Sequence, residues 1–220
     1  MMMEDSKENA KAYYEGYWYG NAADFVKRDP TTPERRRRLF AVLKQNLKAG
    51  DPVLDLGCGT GQFTSWIKDS GFDAMGVDIS EIAIEKARSV FPGVNYGLMG
   101  ENGAIPASDE TFVAVWNTEV IEHVLEVDAF LREISRVLRP GGLLILTTPY
   151  HSLIKNIFIV LYKFDRHFKV EGSHIRFFNR KALARSFQRT GFIPRRYSGI
   201  GRCWPFYRSW FVIAEKAGEN

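Results

Sequence analysis

Between Asp51 and Pro149 the chain repeats one pattern: a short apolar run, a turn, then a longer stretch of helical character. The first run, Pro52-Val53-Leu54-Asp55-Leu56, ends in a glycine cluster, which predicts a buried strand entering a turn. Residues 74–78, 94–98, 112–117 and 143–148 repeat the theme. Helices are expected over 60–68, from a Ser80 cap to about residue 90, and over 127–138, where Pro140-Gly141-Gly142 stops the last one. Strands alternating with helices at this spacing predict repeated βαβ units and a mainly parallel sheet.

The flanks break this rhythm. The first 45 residues read as helical and aromatic-rich, with Tyr13, Tyr14, Tyr17, Trp18 and Tyr19 in one short stretch. Thr31-Thr32-Pro33-Glu34 opens a helix with a capping residue, a proline in the first turn and an early acid. Arg35 to Arg38 follow, but successive helical residues point about 100° apart, so they form no single patch and a solvated helix end is expected. Beyond Pro149, residues 153–164 read as an apolar helix, followed by a basic loop with His167 and His174. Asn179 caps a helix to about residue 190, residues 191–193 begin a strand, and 206–214 form the last one. We read residues 1–220 as a single domain with 1–48 as an N-terminal helical lid segment. Residues 150–178 are long for a plain connection and read as a cap over a substrate site.

The most specific feature is Val53-Leu54-Asp55-Leu56-Gly57-Cys58-Gly59-Thr60-Gly61. Glycines at alternate positions after a first strand let the backbone turn sharply and approach a ligand closely. The G-x-G-x-G spacing differs from the dinucleotide fingerprint and from Walker A, which also needs a lysine that this loop lacks. Asp55 puts a carboxylate where a pyrophosphate would be repelled, so the site suits a cationic or zwitterionic ligand. Asp78 closes the second strand 23 residues later, where an acid of a Rossmann-type half accepts hydrogen bonds from ribose hydroxyls. Together they describe a nucleoside with a small charged tail.

Charge and cysteine usage narrow the class further. Residues 1–150 carry 16 Lys and Arg against 22 Asp and Glu, a balance of −6; residues 151–220 carry 14 against 4, a balance of +10, giving the net +4. The basic final third reads either as a docking face for an anionic substrate, nucleic acid or membrane surface, or as a solvated surface whose arginines cover apolar stems. Two cysteines, Cys58 and Cys203, cannot build a disulfide framework or a zinc site, and fit a reducing compartment. The first eight residues carry acids and no apolar core, unlike a secretory signal. No apolar run approaches the roughly 20 residues needed to span a bilayer, so a cytoplasmic location is expected. Residues 153–164 are open to two readings, a helix lying at a membrane interface and a cap helix lining the substrate pocket.

Three further segments match one family. Gly100-Glu101 precedes Ile105-Pro106. Phe112-Val113-Ala114-Val115-Trp116-Asn117 leads into Glu119-Val120-Ile121-Glu122-His123-Val124. Leu138-Arg139-Pro140-Gly141-Gly142 precedes a Leu/Ile-rich strand. With the glycine loop, they make residues 35–215 resemble the class I S-adenosylmethionine-dependent methyltransferases. Val113 departs from the pattern, since many relatives carry an acid there. The resemblance implies a Rossmann-like, seven-stranded, mainly parallel α/β sheet with its last strand antiparallel and the cofactor across the ends of strands one to four. It implies that Asp55, Gly57 and Gly59, in a loop completed by Cys58 and Gly61, face the methionine part of S-adenosylmethionine. Asp78 and Ile79 would meet ribose and adenine, Glu101 and Asn102 the adenine edge, and Asn117 the methyl-donor side. Separately, from their place ahead of the first strand, Tyr17 and Trp18 are expected to close over the cofactor. Glu101 stands where the family usually has Asp.

A sulfonium is an activated methyl donor, so such a protein mainly aligns a nucleophile, and a hydroxyl nucleophile needs a general base. His123, just past the fourth strand, is the first candidate, ahead of His151, His167 and His174. Glu119, Glu122 and His123 stand at i, i+3 and i+4, which on a helix would form one face able to take a divalent cation. Some quinone-precursor O-methyltransferases resembling this segment are thought to use metal there; loop stabilisation is the alternative we favour, without a resident metal. The expected activity is methyl transfer to a small-molecule acceptor, O-methylation ahead of N or C, with S-adenosylhomocysteine as product. The acceptor class is left open between an anionic or lipid-like molecule, a quinone precursor included, and a sugar or glycan intermediate, and peripheral membrane contact is left open too. Nucleic-acid methylation is a second reading, from the basic final third. No separate recognition domain and no Asn/Asp-Pro-Pro-aromatic motif supports it, so no nucleic-acid partner is expected. A module that binds the cofactor without catalysis is the third.

Overall fold

The computed structural model describes residues 2–19, 26, 29–100, 102–162, 164 and 175–218. Its elements, in chain order, are α1 (Met2–Tyr19), α2 (Thr32–Asn46), β1 (Pro52–Leu56), α3 (Gln62–Asp69), β2 (Asp73–Asp78), α4 (Glu81–Val90) and β3 (Asn95–Leu98). There follow β4 (Phe112–Thr118), a short 3-10 turn (Ile121–His123), α5 (Val127–Val137), β5 (Leu138–Pro149), α6 (Leu153–Tyr162), α7 (Arg180–Arg189), β6 (Phe192–Ile200) and β7 (Ser209–Lys216).

The strands form one sheet of order β3-β2-β1-β4-β5-β7-β6. The pairs from β3 to β5 are parallel, and β7 runs antiparallel to both of its neighbours. The expected seven strands with the last reversed are therefore present. Strand order changes direction between β1 and β4, and an open α/β sheet offers its ligand crevice at the carboxyl ends of strands beside such a switch point.

The period of two along the strands sorts the core into two layers. Leu54 and Leu56 of β1, Val115 of β4 and Leu144 and Leu146 of β5 pack with Leu131 and Ile134 of α5 and with Leu183 and Phe187 of α7. Val53, Trp116 and Ile145 face the other way, onto Leu39 and Leu43 of α2 and Phe63 and Ile67 of α3. Truncating a fully buried leucine such as Leu39 or Leu43 to alanine costs about 2–5 kcal/mol, so the two layers hold the strand ends firmly in register.

Two boundaries differ from the sequence expectation. β5 begins at Leu138, because Leu138 pairs with Phe112 before a bulge returns the register at Leu143 and Ala114. Pro140-Gly141-Gly142 is thus an irregular stretch within a strand, with Gly141 left-handed. β7 starts at Ser209, since Trp204-Pro205 and Phe206 belong to the connecting loop. The caps at Ser80 and Asn179 form as expected, accepting from the N–H groups of Ala83 and Ala182. Thr31 occupies the N-cap position of α2, yet its hydroxyl donates to Asp29 and caps nothing.

Candidate functional site

The alternate glycines all adopt left-handed backbone: φ is +79° at Gly57, +53° at Gly59 and +80° at Gly61. Only glycine takes that region freely, so the spacing follows from the turn. The N–H groups of Gly57 and Cys58 both donate to Val77 O, at 2.7 and 3.1 Å, which sews the loop to β2. A side chain at any of the three would strike a neighbour: Val120 at Gly57, the Trp18 ring 2.6 Å away at Gly59, and the Tyr96 hydroxyl at Gly61.

Asp55, at 1% exposure, accepts from Thr64 Oγ1 at 2.6 Å. Burial, with the neighbouring charge of Asp78, pushes its carboxyl up to about 7. Asp78 accepts from Gly59 N at 2.8 Å and from Ser80 N at 3.0 Å; burial raises its carboxyl, and these backbone bonds offset part of the rise. It pins the middle of the glycine loop to the end of β2 and keeps further lone pairs for a ligand. Asn117, fully buried at the end of β4, donates to Leu56 O at 2.9 Å across the switch point. Asp55 Oδ1 and Asn117 Oδ1 are buried without a hydrogen-bond partner among the described residues. Two orphaned acceptor oxygens flanking a glycine cradle match a ligand that carries positive charge and N–H donors.

The remaining candidates around the loop divide. Cys58 is buried, its thiol pushed up by burial and by Asp78 and Asp55. Ile79 is half-buried beside Asp78, whereas Asn102 is exposed and accepts from Ala104 N. Glu101, His167 and His174 lie outside the described residues.

Helix α1 lies against this loop. Glu15 accepts from Ser80 Oγ at 2.9 Å, Glu81 N at 2.7 Å and Ile82 N at 3.2 Å, satisfying open donors at the start of α4. Lys86 donates to Trp18 O, and Tyr17 stands edge-on to Trp18 at 5.2 Å with its ring 40% exposed. Tyr14 stands edge-on to His123 at 5.8 Å. Burial raises the Tyr14 hydroxyl, and the charges of Glu122 and Asp78 both add to the rise.

That loop corrects two expectations. Glu119, Glu122 and His123 share no helix face, because only residues 121–123 make a single 3-10 turn and Glu119 precedes it with φ +53°. Glu119 turns to Arg35, 3.0 Å away. Glu122, fully buried, accepts from Thr148 Oγ1 at 3.1 Å and stands 3.9 Å from His123 Nε2. Burial and the charge of Glu119 push its carboxyl well up. Arg35 is likewise not solvated: it is 4% exposed and binds Asp29 at 2.6 Å and Ser209 Oγ at 3.2 Å as well as Glu119. The missed signal was spacing, since Arg35, Leu39 and Val42 lie in one i, i+4, i+7 stripe, all buried. His151 is buried, with Nδ1 3.0 Å from Asn156 Oδ1 and its ring edge-on to Phe177.

A family model described as "Methyltransferase domain" matches residues 30–194, most of the chain. The chain belongs to the class I S-adenosylmethionine-dependent methyltransferases. The methyltransferase is 36% identical over 129 residues to a "Ubiquinone biosynthesis O-methyltransferase" of Sinorhizobium fredii, covering 57% of this chain and 47% of that one. It is 35% identical over 100 residues to a "Demethylmenaquinone methyltransferase" of Tropheryma whipplei, covering 44% and 41%. The methyltransferase thus spans less than half the length of these curated relatives. Among solved structures, the PH0226 protein from Pyrococcus horikoshii is similar with a TM-score of 0.69 over 91% of this chain and 98% of that one, at 22% identity, a likeness of fold.

Proposed function

We propose that this methyltransferase moves a methyl group from S-adenosylmethionine to an oxygen of a small-molecule acceptor, leaving S-adenosylhomocysteine. The observation that carries the reading is the left-handed glycine loop held between two buried carboxylates, Asp55 and Asp78. The orphaned oxygens of Asp55 and Asn117 suit the charged methionine end, and Asp78 with Ile79 suits ribose and adenine. When bound, the sulfonium supplies an already activated methyl group, so the protein's own work is alignment, exclusion of water and removal of a proton. His123, with Glu122 and Tyr14 beside it, is our candidate base for the acceptor's proton. The names of the relatives favour a hydroxyl of a quinone precursor as the acceptor group.

Calorimetry with S-adenosylhomocysteine tests the cofactor site. Asp78→Asn replaces an acceptor of charge-assisted hydrogen bonds, each worth about 1.5–3 kcal/mol, so affinity is expected to fall at least about tenfold. Unchanged affinity in a folded variant would sink the assignment. Methyl transfer from labelled S-adenosylmethionine to a panel of phenols then tests the reaction.

The lid reading rests on α1 and on the end of the 150–178 segment. Ile175 N and Arg176 N both donate to Glu122 O, tying the returning chain to the His123 turn. Phe158, which from its place in the cap would line the pocket with Tyr17 and Trp18, meets Tyr162 at 5.0 Å and Phe206 at 5.6 Å, in ring contacts separate from theirs. Hydrogen exchange is expected to show residues 10–19 gaining protection when S-adenosylhomocysteine binds. Equal exchange with and without the ligand would rule out α1 as a lid.

A further inference from the structure

We propose that a cavity beside the loop after β4 is an anion subsite, in which Lys155, Arg202 and Arg208 hold a carboxylate or phosphate carried by the acceptor. The inference rests on the methyl-transfer reading for its purpose and on the cavity's own charges for its chemistry.

The cavity has a volume of about 500 Å³ and is lined by Arg35, Glu119 and Ser209 as well as the three cations. It opens where β4 and β5 end and β7 begins, on the crevice side of the sheet. Its two kinds of positive charge differ. Arg35 is already answered by Asp29 and Glu119. Lys155, Arg202 and Arg208 have no ion-pair partner among the described residues, although all three face the same space. Like charges gathered in one concavity repel each other and raise the local concentration of anions.

Lys155 is held by its side chain and Arg208 by its backbone, while Arg202 stands exposed at the rim. Lys155 Nζ donates to Tyr150 O at 2.6 Å and to Tyr207 O at 2.9 Å, which aims the ammonium and leaves one N–H. The Arg208 backbone is clamped on both sides, its N–H donating to Ile200 O at 2.8 Å and its carbonyl accepting from Tyr150 N at 2.9 Å. Burial, then the charges of Arg202 and Arg208, push the Lys155 ammonium down to about 8, while Glu119 opposes the fall. An anion arriving here would relieve that repulsion.

Two neighbours say what bears the anion. Glu119 lines the cavity and the next residue, Val120, packs on Gly57, so a single residue step links the wall of the space to the glycine loop. Arg202 also lines a second cavity of about 530 Å³, walled by Tyr150, Tyr197, Trp204, Tyr207 and Trp210. An anion beside an aromatic-walled cavity fits a molecule carrying a ring next to its charge.

Calorimetric titration with benzoate, phenyl phosphate and uncharged benzamide tests this, with S-adenosylhomocysteine titrated separately. One or both anions are expected to bind, the preferred one naming carboxylate or phosphate as the native group, and benzamide at least about tenfold more weakly. Arg208→Glu, at an exposed position, and Lys155→Met are each expected to weaken anion binding at least about tenfold, leaving S-adenosylhomocysteine affinity within about twofold. A protein that binds S-adenosylhomocysteine but neither anion overturns the subsite and leaves the cofactor reading standing. Equal binding of benzamide, or anion affinity indifferent to both substitutions, overturns it too. Anion binding lost in the variants, without any S-adenosylhomocysteine binding, upholds the subsite and sinks the methyl-transfer reading.

Discussion

Arg35→Ala is expected to destabilise the protein by about 3–5 kcal/mol, which for a domain of this size lowers the melting temperature by roughly 6–20 °C. Arg35 is 4% exposed and reaches Asp29, Glu119 and Ser209 from a single position on α2. Removing it leaves Asp29 and Glu119 without their shared cation and takes from Glu122 a charge that favours its ionised form. Lysine offers a point charge in place of a fork, so Arg35→Lys is expected to recover only part of the loss. Thermal unfolding of the three proteins decides it, and an alanine variant within 2 °C of the parent, a margin of roughly 1 kcal/mol, would show that the network contributes nothing to stability.

Asp55→Asn is expected to do the opposite to the ligand-free protein. Its carboxyl stands near 7 in the fold against an ordinary 3.8, mainly through burial. Between those values the folded chain holds a proton that the unfolded chain has released. Stability therefore falls as pH rises through this window, and the whole cost, roughly 4 kcal/mol, is present above pH 7. Asparagine cannot ionise, so the variant is expected to melt several degrees higher at pH 8 and to converge on the parent below about pH 4. The same change removes the negative charge beside the orphaned Oδ1 and is expected to weaken S-adenosylmethionine binding about tenfold or more. In the parent, affinity for that cation is expected to tighten as pH rises through 7, whereas the variant's stays flat. Melting temperatures that coincide at pH 8 would show that ionised Asp55 carries no such cost.

The features that could be read from the chain were those encoded locally. Val53 to Gly61 displays its strand, its turn and its glycine requirement in nine adjacent residues, and Ser80 and Asn179 cap helices three residues away. What escaped depends on partners far along the chain. Arg35 looks like one of four surface arginines until Ser209 and Glu119 are brought to it. The i, i+3, i+4 spacing of Glu119, Glu122 and His123 suggested a helix, but the backbone carbonyl of Thr147 captures Glu119 N and the positive φ at Glu119 ends any such path. Gly141 reads as a stop, yet its left-handed turn lets β5 bulge and continue. Glu15 and Trp18 sit in a helical, aromatic-rich stretch, and their contacts at Ser80 and Gly59 lie 65 and 41 positions away in the numbering.

The position of β7 has a consequence for how the chain reaches its fold. Although it comes last in order, β7 sits between β5 and β6 and is the partner that joins β6 to the sheet. Until Ser209–Lys216 emerges from the ribosome, the apolar edge of β5 stays open and β6 has nowhere to pair. An exposed strand edge of Leu143, Leu144, Ile145 and Leu146 is a template for the wrong partner. A nascent or truncated chain stopping before Ser209 therefore carries a sticky, half-closed sheet, and quality control would meet it in that state.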